Sequence, residues 1–264
     1  MRIRPEICAV VPAAGRGTRL GSKGPKLLTE IGSGKTIWSI LSRKLLAAAG
    51  KVNVIVSPEG EPAIREAIER DKLAGRVFLS IQATPAGMGD AIFCGFPVWS
   101  CADVILVVWG DQVLVSQDTL RRTCALHNGA ARSVILPVIR LPNPYVEYIF
   151  SGEGCLESVR QSREGDACTP NGYGDVGTFA LSVEGLHDAW MHYLTSQMRA
   201  GPGTGEMNFL PFLPYLASAG WSVKPLTVTD PREARGVNTP DDLQFVRQMI
   251  AQEQAAAEGR RDRA

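Results

Sequence analysis

The chain has 264 residues, of which 45% are hydrophobic and 21% are charged, and its formal net charge is +1. This length suits one large α/β domain or two small ones and allows a sizeable core. The balanced charge argues against a nucleic-acid-binding surface, and no apolar run approaches the ~18 residues that span a membrane. Six cysteines without a CxxC pair, and a polar start without a signal peptide, predict a cytoplasmic protein with free thiols.

Strands and helices alternate in the first half of the chain. Strands are predicted at 7–11, 52–56, 77–81 and 104–108, and helices at 36–49, 61–73, 87–96 and 118–128. Such alternation is typical of βαβ units, so we expect an α/β fold with a Rossmann-like, mainly parallel sheet flanked by helices.

The pattern changes after a further predicted strand at 133–139. Residues 140–175 are rich in proline, glycine and short β-like pieces, which predicts a small antiparallel insertion. Beyond it we predict strands at 175–181 and 223–228 and helices at 183–198, 206–219 and 240–256. We expect a single domain over residues 1–257, followed by a charged tail at 258–264 that frays.

A glycine-rich loop follows the first strand, at residues 13–26. Its glycines allow positive φ and close approach, so that backbone N–H groups can converge on phosphate oxygens. Arg19 can form forked hydrogen bonds to a phosphate, and Lys26 adds a point charge. Because α/β sheets bind ligands at the carboxyl ends of their strands, we interpret this loop as a triphosphate site. A solvated surface loop is the alternative.

Two other glycine patterns in this region fit their motifs poorly. Leu20 occupies the place of the third glycine in a dinucleotide-binding fingerprint. The run Gly32–Thr36 looks like the end of a phosphate-binding P-loop, but Thr29 stands where that motif has its first glycine. A P-loop is therefore a weak alternative.

Several motifs, in one order from Ile7 to Leu243, resemble those of the sugar-1-phosphate nucleotidyltransferase family. Within that family the chain is most similar to the uridylyltransferase domain that acts on N-acetylglucosamine 1-phosphate. The motifs are Ala13-Ala14-Gly15-x-Gly17-Thr18-Arg19 with Pro25-Lys26, Gln82 with Gly87-Met88-Gly89, Trp109-Gly110-Asp111, Tyr173-Gly174-Asp175-Val176-Gly177, Gly205-Glu206 and Gly236-Val237-Asn238. The resemblance implies the nucleotide-diphospho-sugar transferase fold, and it covers the catalytic domain alone, which predicts a single-function enzyme.

The resemblance also implies a role for each residue of the candidate site. The catalytic residues would be Arg19, Lys26 and Asp111, and the metal ligands Asp111 and Asn238. The nucleotide-binding residues would be Ala13, Ala14, Gly15, Gly17, Thr18, Gln82, Gly87, Met88 and Gly110. The acceptor-binding residues would be Gln161, Asp175 and Gly177.

The chemistry of these residue types agrees with the implied roles. Asp111 ends an apolar strand, where a carboxylate is costly without a partner, and Mg²⁺ takes carboxylate and amide oxygens together with phosphates and waters. Three alternatives stay open: Asp111 caps the helix predicted near 116–128, Asn238 caps the helix before Pro240, and Gln82 is an ordinary polar loop residue.

The implied reaction joins a nucleoside triphosphate to a phosphorylated small-molecule acceptor. An acceptor phosphate oxygen attacks the α-phosphorus and pyrophosphate leaves, while Lys26 and Mg²⁺ stabilise the α-phosphoryl group and Arg19 holds the leaving group. The nucleophile is already ionised, so we assign no catalysis to the three histidines. We expect no nucleic-acid or membrane partner, and the oligomeric state is left open.

The chain departs from the family pattern mainly on the acceptor side. Met88 replaces a threonine, Asp175 replaces an asparagine, and Gln161 falls near the position of the family's acceptor-site glutamate. UTP or CTP is favoured as donor, with a sugar 1-phosphate or similar acceptor. The alternatives are a cytidylyl- or guanylyltransferase acting on a phosphonate or phosphorylated polyol, and a non-catalytic nucleotide-binding protein.

Overall fold

The structure, a computed structural model, describes residues 5–15, 24–195, 203 and 205–261. Its strands are β1 Ile7–Pro12, β2 Glu30–Gly32, β3 Lys35–Thr36, β4 Lys51–Val56, β5 Val77–Ile81, β6 Val104–Val108, β7 Ser133–Arg140, β8 Val146–Phe150, β9 Leu156–Gln161, β10 Tyr173–Asp175, β11 Thr178–Ser182 and β12 Ser222–Thr227. Its helices are α1 Ile37–Leu46, α2 Glu61–Arg70, α3 Met88–Cys94, α4 Phe96–Trp99, α5 Gln117–His127, α6 Leu186–Thr195, α7 Phe212–Ser218 and α8 Pro240–Arg261.

One mixed sheet contains ten of the described strands and has a parallel and an antiparallel half. The parallel half runs in the order β5–β4–β1–β6. Beyond β6 the order continues as β11–β7–β10–β8–β9, with antiparallel pairing throughout, and β12 lies parallel to the other edge of β7. The predicted α/β fold with an antiparallel insertion is therefore confirmed.

Buried side chains on both faces of the sheet explain why it is covered by helices. Along β1, Ala9 and Val11 join one core while Cys8 and Val10 join the other, as the alternation of side chains along a strand requires. The first core includes α1 and part of α8. The second is rich in aromatic residues from α3, α6 and α7. All five residues of β6 are buried, so this strand is the centre of the layered structure.

The strand predicted at 175–181 is two strands, β10 and β11, which lie end to end beside β7. The interruption is at Val176 and Gly177, and Gly177 has φ +71°. A Cβ at Gly177 would lie 2.5 Å from the ring of Trp109, so both backbone conformation and space require glycine here. The break lies beside the carboxyl end of β6, because the Trp109 N–H donates to the Gly177 carbonyl at 2.9 Å.

Other predicted elements differ from the structure at their boundaries. The helix predicted at 206–219 begins only at Phe212, since Met207 and Asn208 in the preceding connection bond to Ala86–Gly89 and to Gln161. The helix predicted at 240–256 continues to Arg261. The glycine pattern at 32–36 is a β2–β3 hairpin whose Thr36 caps α1 in a capping box with Ser39, and it is not a P-loop. No helix in the described part of the chain is long and apolar enough to cross a membrane.

Candidate functional site

Lys26, Asp111 and Asn238 meet at the carboxyl edge of the parallel half of the sheet. The Lys26 ammonium donates to Asp111 Oδ2 and to Asn238 Oδ1, at 2.9 Å in each case. The two oxygens come from positions far apart in the chain, yet they converge on a single positive charge. The carboxylate and the ammonium are both about one-fifth exposed, so the cluster is accessible to a ligand.

The position of Asp111 follows from the strand before it and from a neighbouring loop. The apolar strand β6 ends at Val108, and Trp109 and Gly110 carry the chain to Asp111. The Asp111 carbonyl accepts from the Val237 N–H at 3.1 Å, which joins the Asn238 loop to the end of β6. A Cβ at Gly236 would lie 3.0 Å from the Asp111 carboxyl carbon, so glycine permits this close approach.

The two helix-cap interpretations of Asp111 and Asn238 are both wrong. Ser116 caps α5, with its hydroxyl accepting from the Thr119 N–H at 2.9 Å. At the start of α8, Thr239 and Asp242 cap each other's backbone N–H groups, as in a capping box. The Asn238 side chain is therefore left to face Lys26.

Asp242 is held as a carboxylate by its neighbours. Burial acts to raise its pKa, but hydrogen bonds from Arg235, from the Thr239 side chain and from two backbone N–H groups outweigh burial and lower the pKa. The ionised group stabilises the first turn of α8, where a negative charge is favoured. The loop that carries Asn238 is thus fixed at its helical end.

The donor set of Asp111 and Asn238 fits a hard divalent cation. One carboxylate oxygen and one amide oxygen face a common cationic position, and Mg²⁺ binds few protein oxygens and keeps its other places for phosphates and water. Among the described residues no group of three or more His, Cys, Asp and Glu side chains could hold a metal. A cation here would therefore need additional oxygens from a ligand.

The loop after β1 is described only at its two ends. Ala13 and Ala14 extend the carboxyl end of β1, and Gly15 is exposed, with no atom of the described residues within 4 Å of the position that a Cβ would take. The Ala13 N–H is already bound by the Ile55 carbonyl at 2.8 Å. The predicted residues Gly17, Thr18 and Arg19 lie outside the described residues. The far end returns through Pro25 to Lys26, where the buried Leu27 anchors the chain.

Gln82 is buried and its amide orientation is fixed by its neighbours. Its Nε2 donates to the Gly87 carbonyl at 3.0 Å and to Asp90 Oδ2 at 2.7 Å. Both partners only accept, so the nitrogen must face them. Within the described chain no residue donates to the remaining Oε1, so an acceptor is what Gln82 can offer a ligand.

The segment Ala86–Gly89 is bound to the connection before α7. Met207 donates its N–H to the Ala86 carbonyl at 2.7 Å and accepts from the Gly89 N–H at 2.8 Å. A Cβ at Gly87 would lie 2.6 Å from the Met207 nitrogen, and a Cβ at Gly89 would collide with Trp190. Both glycines are therefore needed for this packing. Met88 packs against the second core, which an apolar side chain does better than a threonine.

Asp175 lies on the antiparallel side and is bound by three donors. Its Oδ2 accepts from Trp109 Nε1 at 3.0 Å, and its Oδ1 accepts from the Tyr148 hydroxyl at 3.0 Å and the Gly177 N–H at 2.8 Å. Burial raises the pKa of Asp175, while these three hydrogen bonds lower it. An asparagine would present an NH₂ group to at least one donor.

Asp175, which replaces an asparagine of the family pattern, is in direct contact with Trp109 of the Trp109-Gly110-Asp111 motif. An indole N–H can only donate and a carboxylate can only accept, so the two residues form a matched pair. The pair joins the end of β6 to the break between β10 and β11.

Gln161 ends β9 and is buried together with Asn208. Its Oε1 accepts from Asn208 Nδ2 at 2.7 Å, and its backbone N–H donates to Asp166 at 2.8 Å. Phe209, the next residue after Asn208, packs edge-to-face on Trp109 with ring centroids 5.9 Å apart. Gln161 is thereby connected to the same strand end as Asp111.

Three residues of this region were not singled out from the sequence, namely Asp90, Tyr148 and Asn208. Asp90 follows the glycine motif directly, so its position was a usable signal. Tyr148 and Asn208 have no motif around them. Of the histidines, His127 is fully buried beside the Ser133 carbonyl, and burial lowers its pKa. It lies in the interior away from this cluster.

One known family and several curated proteins resemble this chain. The family described as MobA-like NTP transferase domain matches residues 9–170, more than half of the chain. Similar curated proteins are each called bifunctional protein GlmU. That of Acidithiobacillus ferrooxidans is 26% identical over 253 residues, covering 94% of this chain and 52% of the relative. That of Aquifex aeolicus is 28% identical over 255 residues, covering 92% and 53%. The chain spans about half the length of the curated relatives it matches.

Proposed function

The chain belongs to the family of MobA-like NTP transferase domains, and on that premise we propose that it joins a nucleoside triphosphate to a phosphorylated small-molecule acceptor. Pyrophosphate is the second product. UTP or CTP is the favoured donor, and a sugar 1-phosphate or a similar phosphate is the favoured acceptor. The reaction depends on Mg²⁺.

The observation that carries the proposal is the convergence of Lys26, Asp111 and Asn238. The three residues come from distant parts of the chain, and their side chains meet through hydrogen bonds between polar atoms. An ammonium beside two cation-binding oxygens suits a phosphoryl group in transfer, on which negative charge must be balanced from several directions. A purely structural salt bridge would not need the amide oxygen of Asn238.

The chain's own residues supply positioning and charge. Lys26 neutralises an oxygen of the α-phosphoryl group as the acceptor phosphate attacks and pyrophosphate departs. Asp111 and Asn238 would hold Mg²⁺, which when bound supplies further positive charge at the same group. Arg19 binds the leaving pyrophosphate. The acceptor phosphate is ionised near neutral pH, so none of the residues has to remove a proton.

The fixed amide of Gln82 is compatible with a pyrimidine donor. Its free oxygen accepts a hydrogen bond, which suits the N3–H of uracil or the exocyclic amine of cytosine. Gly87 lies beside it and presents backbone without a side chain. Both pyrimidine donors satisfy this single contact, so the choice between UTP and CTP is left to the experiment.

The test is a screen of all four nucleoside triphosphates against a set of phosphorylated acceptors, with pyrophosphate release as the readout. Sugar 1-phosphates, phosphorylated polyols and small phosphonates form the set. We expect release with UTP or CTP, dependence on an acceptor, and loss of activity when EDTA removes Mg²⁺. Tight nucleotide binding by calorimetry without turnover for any acceptor would support the non-catalytic alternative and defeat the proposal.

A second candidate is a cytidylyl- or guanylyltransferase acting on a phosphonate or a phosphorylated polyol. The observation that favours it is the acceptor side, where Asp175 and Gln161 differ from the resemblance in hydrogen-bonding character. The same screen separates the two candidates, because the phosphonates and polyol phosphates are tested against every triphosphate.

A further inference from the structure

The orientation of the Gln161 amide is determined by a chain of hydrogen bonds that starts at a backbone group. The Leu210 N–H donates to Asn208 Oδ1 at 3.2 Å, and a backbone N–H can only donate. The other end of the Asn208 amide is therefore its NH₂ group. That group donates to Gln161 at 2.7 Å, so the Gln161 atom that it meets must be the oxygen.

The end of Gln161 that remains is its NH₂ group. Gln161 is 3% exposed, and none of the described residues accepts a hydrogen bond from its Nε2. This nitrogen is not among the enclosed polar atoms that lack a partner, so it keeps access to solvent and is free to donate to a ligand.

A second donor without an acceptor lies two residues along the chain. One terminal nitrogen of the Arg163 guanidinium, Nη2, is buried and has no hydrogen-bond partner in the described chain. The rest of this guanidinium faces carboxylates, with Nε 3.4 Å from Glu164 and Nη1 3.5 Å from Glu206. Glu206 and Asn208 belong to the same connection before α7, so Gln161 and Arg163 both lie against this connection. We call this region the β9 corner.

The β9 corner is connected both to the Gly87–Gly89 segment and to the end of β6 near Asp111. Met207, between Glu206 and Asn208, is bonded to the segment Ala86–Gly89 on the nucleotide side. Phe209 packs on Trp109, two residues before Asp111. Gln161 and Arg163 therefore contact the same connection that also bonds to Ala86–Gly89 and packs on Trp109.

We propose that Gln161 and Arg163 select an acceptor that carries a carboxylate or carbonyl oxygen in addition to its phosphate. Resting on the proposed function, this inference names the class of its acceptor. Two N–H donors that lack an acceptor are matched by an oxygen that has lone pairs and no proton. A hydroxyl group satisfies them less well than a carboxylate, because a charged acceptor forms the stronger hydrogen bond. Asn208 acts as a positioning residue, since it fixes which end of Gln161 faces the acceptor.

The test compares binding of two probes that differ in one group. 3-Phosphoglycerate has a carboxylate where glycerol 3-phosphate has a hydroxymethyl group. Calorimetric titration in the presence of Mg²⁺ and a non-hydrolysable nucleoside triphosphate should show at least ~10-fold tighter binding of the carboxylate probe to the wild-type chain. Equal affinity for the two probes, or no binding of either one, would overturn the inference.

Variants separate the amide orientation from a general electrostatic effect. Gln161→Glu replaces the NH₂ group by an oxygen and should remove the preference for 3-phosphoglycerate. Asn208→Asp leaves Gln161 in place but gives residue 208 two oxygens, which accept from the Leu210 N–H and from Gln161. The Gln161 amide must then turn its NH₂ group toward residue 208, and the preference should again be lost. Gln248→Glu makes the same change on the exposed side of α8 and should keep the wild-type preference.

Two measurements keep the test decisive. If the charged variants do not fold, as judged by thermal melting and nucleotide binding, Gln161→Met removes the donor without burying a charge and should lose the preference. Retention of the preference in a folded Gln161 variant would overturn the inference. Because the titration needs no turnover, failure of transfer with every acceptor would defeat the proposed function while leaving the result on Gln161 readable.

Discussion

Two buried glutamines lie on opposite sides of Asp111, and their neighbours leave opposite ends of their amides available. On the nucleotide side, Gln82 uses its nitrogen to bind Gly87 and Asp90, so its oxygen remains. On the acceptor side, Gln161 uses its oxygen to bind Asn208, so its nitrogen remains. Under the proposed function, the same residue type would offer an acceptor to one substrate and a donor to the other. The hydrogen-bonding neighbours, and not residue identity alone, would then determine specificity.

The largest expected effect on the rate comes from Lys26 and Asp111, which serve both the nucleotide side and the acceptor side in the proposed reaction. We predict that Asp111→Ala and Lys26→Ala each lower kcat at least ~100-fold, the size expected on removal of one preorganised charge-stabilising group. The KM values for donor and acceptor should change much less, because Gln82 and Gln161 are untouched. The measurement is steady-state pyrophosphate release with each substrate varied in turn.

Lys224→Ala provides the matched control, since this lysine is exposed on β12. It should retain wild-type kcat. The stability of the Lys26 and Asp111 variants should fall by less than about 1 kcal/mol, because partly exposed ion pairs contribute little. Near-full activity in either variant would show that Lys26 and Asp111 are not catalytic residues. The division of the site into a nucleotide side and an acceptor side would then have no basis.

The two sides also differ in how far the sequence alone could predict them. The α/β fold follows from the alternation of predicted strands and helices, and the strand end near Asp111 follows from the apolar run before it. The partners of Gln82 are only 5 and 8 positions away. Gln161 depends on a residue 47 positions away, and Asp175 on residues 66 and 27 positions away. No local pattern encodes such partners. For the same reason the break at Gly177 and the irregular connection at 206–209 were predicted as regular structure.

The second prediction tests whether the acceptor side is held by buried hydrogen bonds. Asp175→Asn keeps the shape of the side chain but turns an NH₂ group toward Trp109 Nε1 or toward the Tyr148 and Gly177 donors. A buried donor without its acceptor should lower the free energy of unfolding by about 2 kcal/mol. Urea denaturation measures the change, and the acceptor KM should rise while the donor KM stays constant.

Asp188→Asn is the control for this variant, since its carboxylate is 84% exposed on α6. It should change the free energy of unfolding by no more than about 0.5 kcal/mol. If Asp175→Asn changed the free energy of unfolding as little as the control, the hydrogen bond between Trp109 and Asp175 would not stabilise the protein. The acceptor side would then be held no more firmly than the nucleotide side.

The smallest effect is expected for substitution of Gln82, which should change the donor KM, whereas substitution of Gln161 should change the acceptor KM. Gln82→Glu places a carboxylate against Asp90, whose oxygen lies 2.7 Å from the present nitrogen, so the new side chain must turn away. The donor nucleotide loses a well-oriented hydrogen bond, and its KM should rise about tenfold. The acceptor KM and kcat should stay within about twofold, and Gln248→Glu should leave the donor KM, the acceptor KM and kcat unchanged.

Gln161→Glu should do the reverse and raise only the acceptor KM. The two variants measured together therefore test whether Gln82 and Gln161 contact different substrates. If either one raised both KM values equally, donor and acceptor would share one pocket, and the opposite amide orientations would carry no separate information about the two substrates.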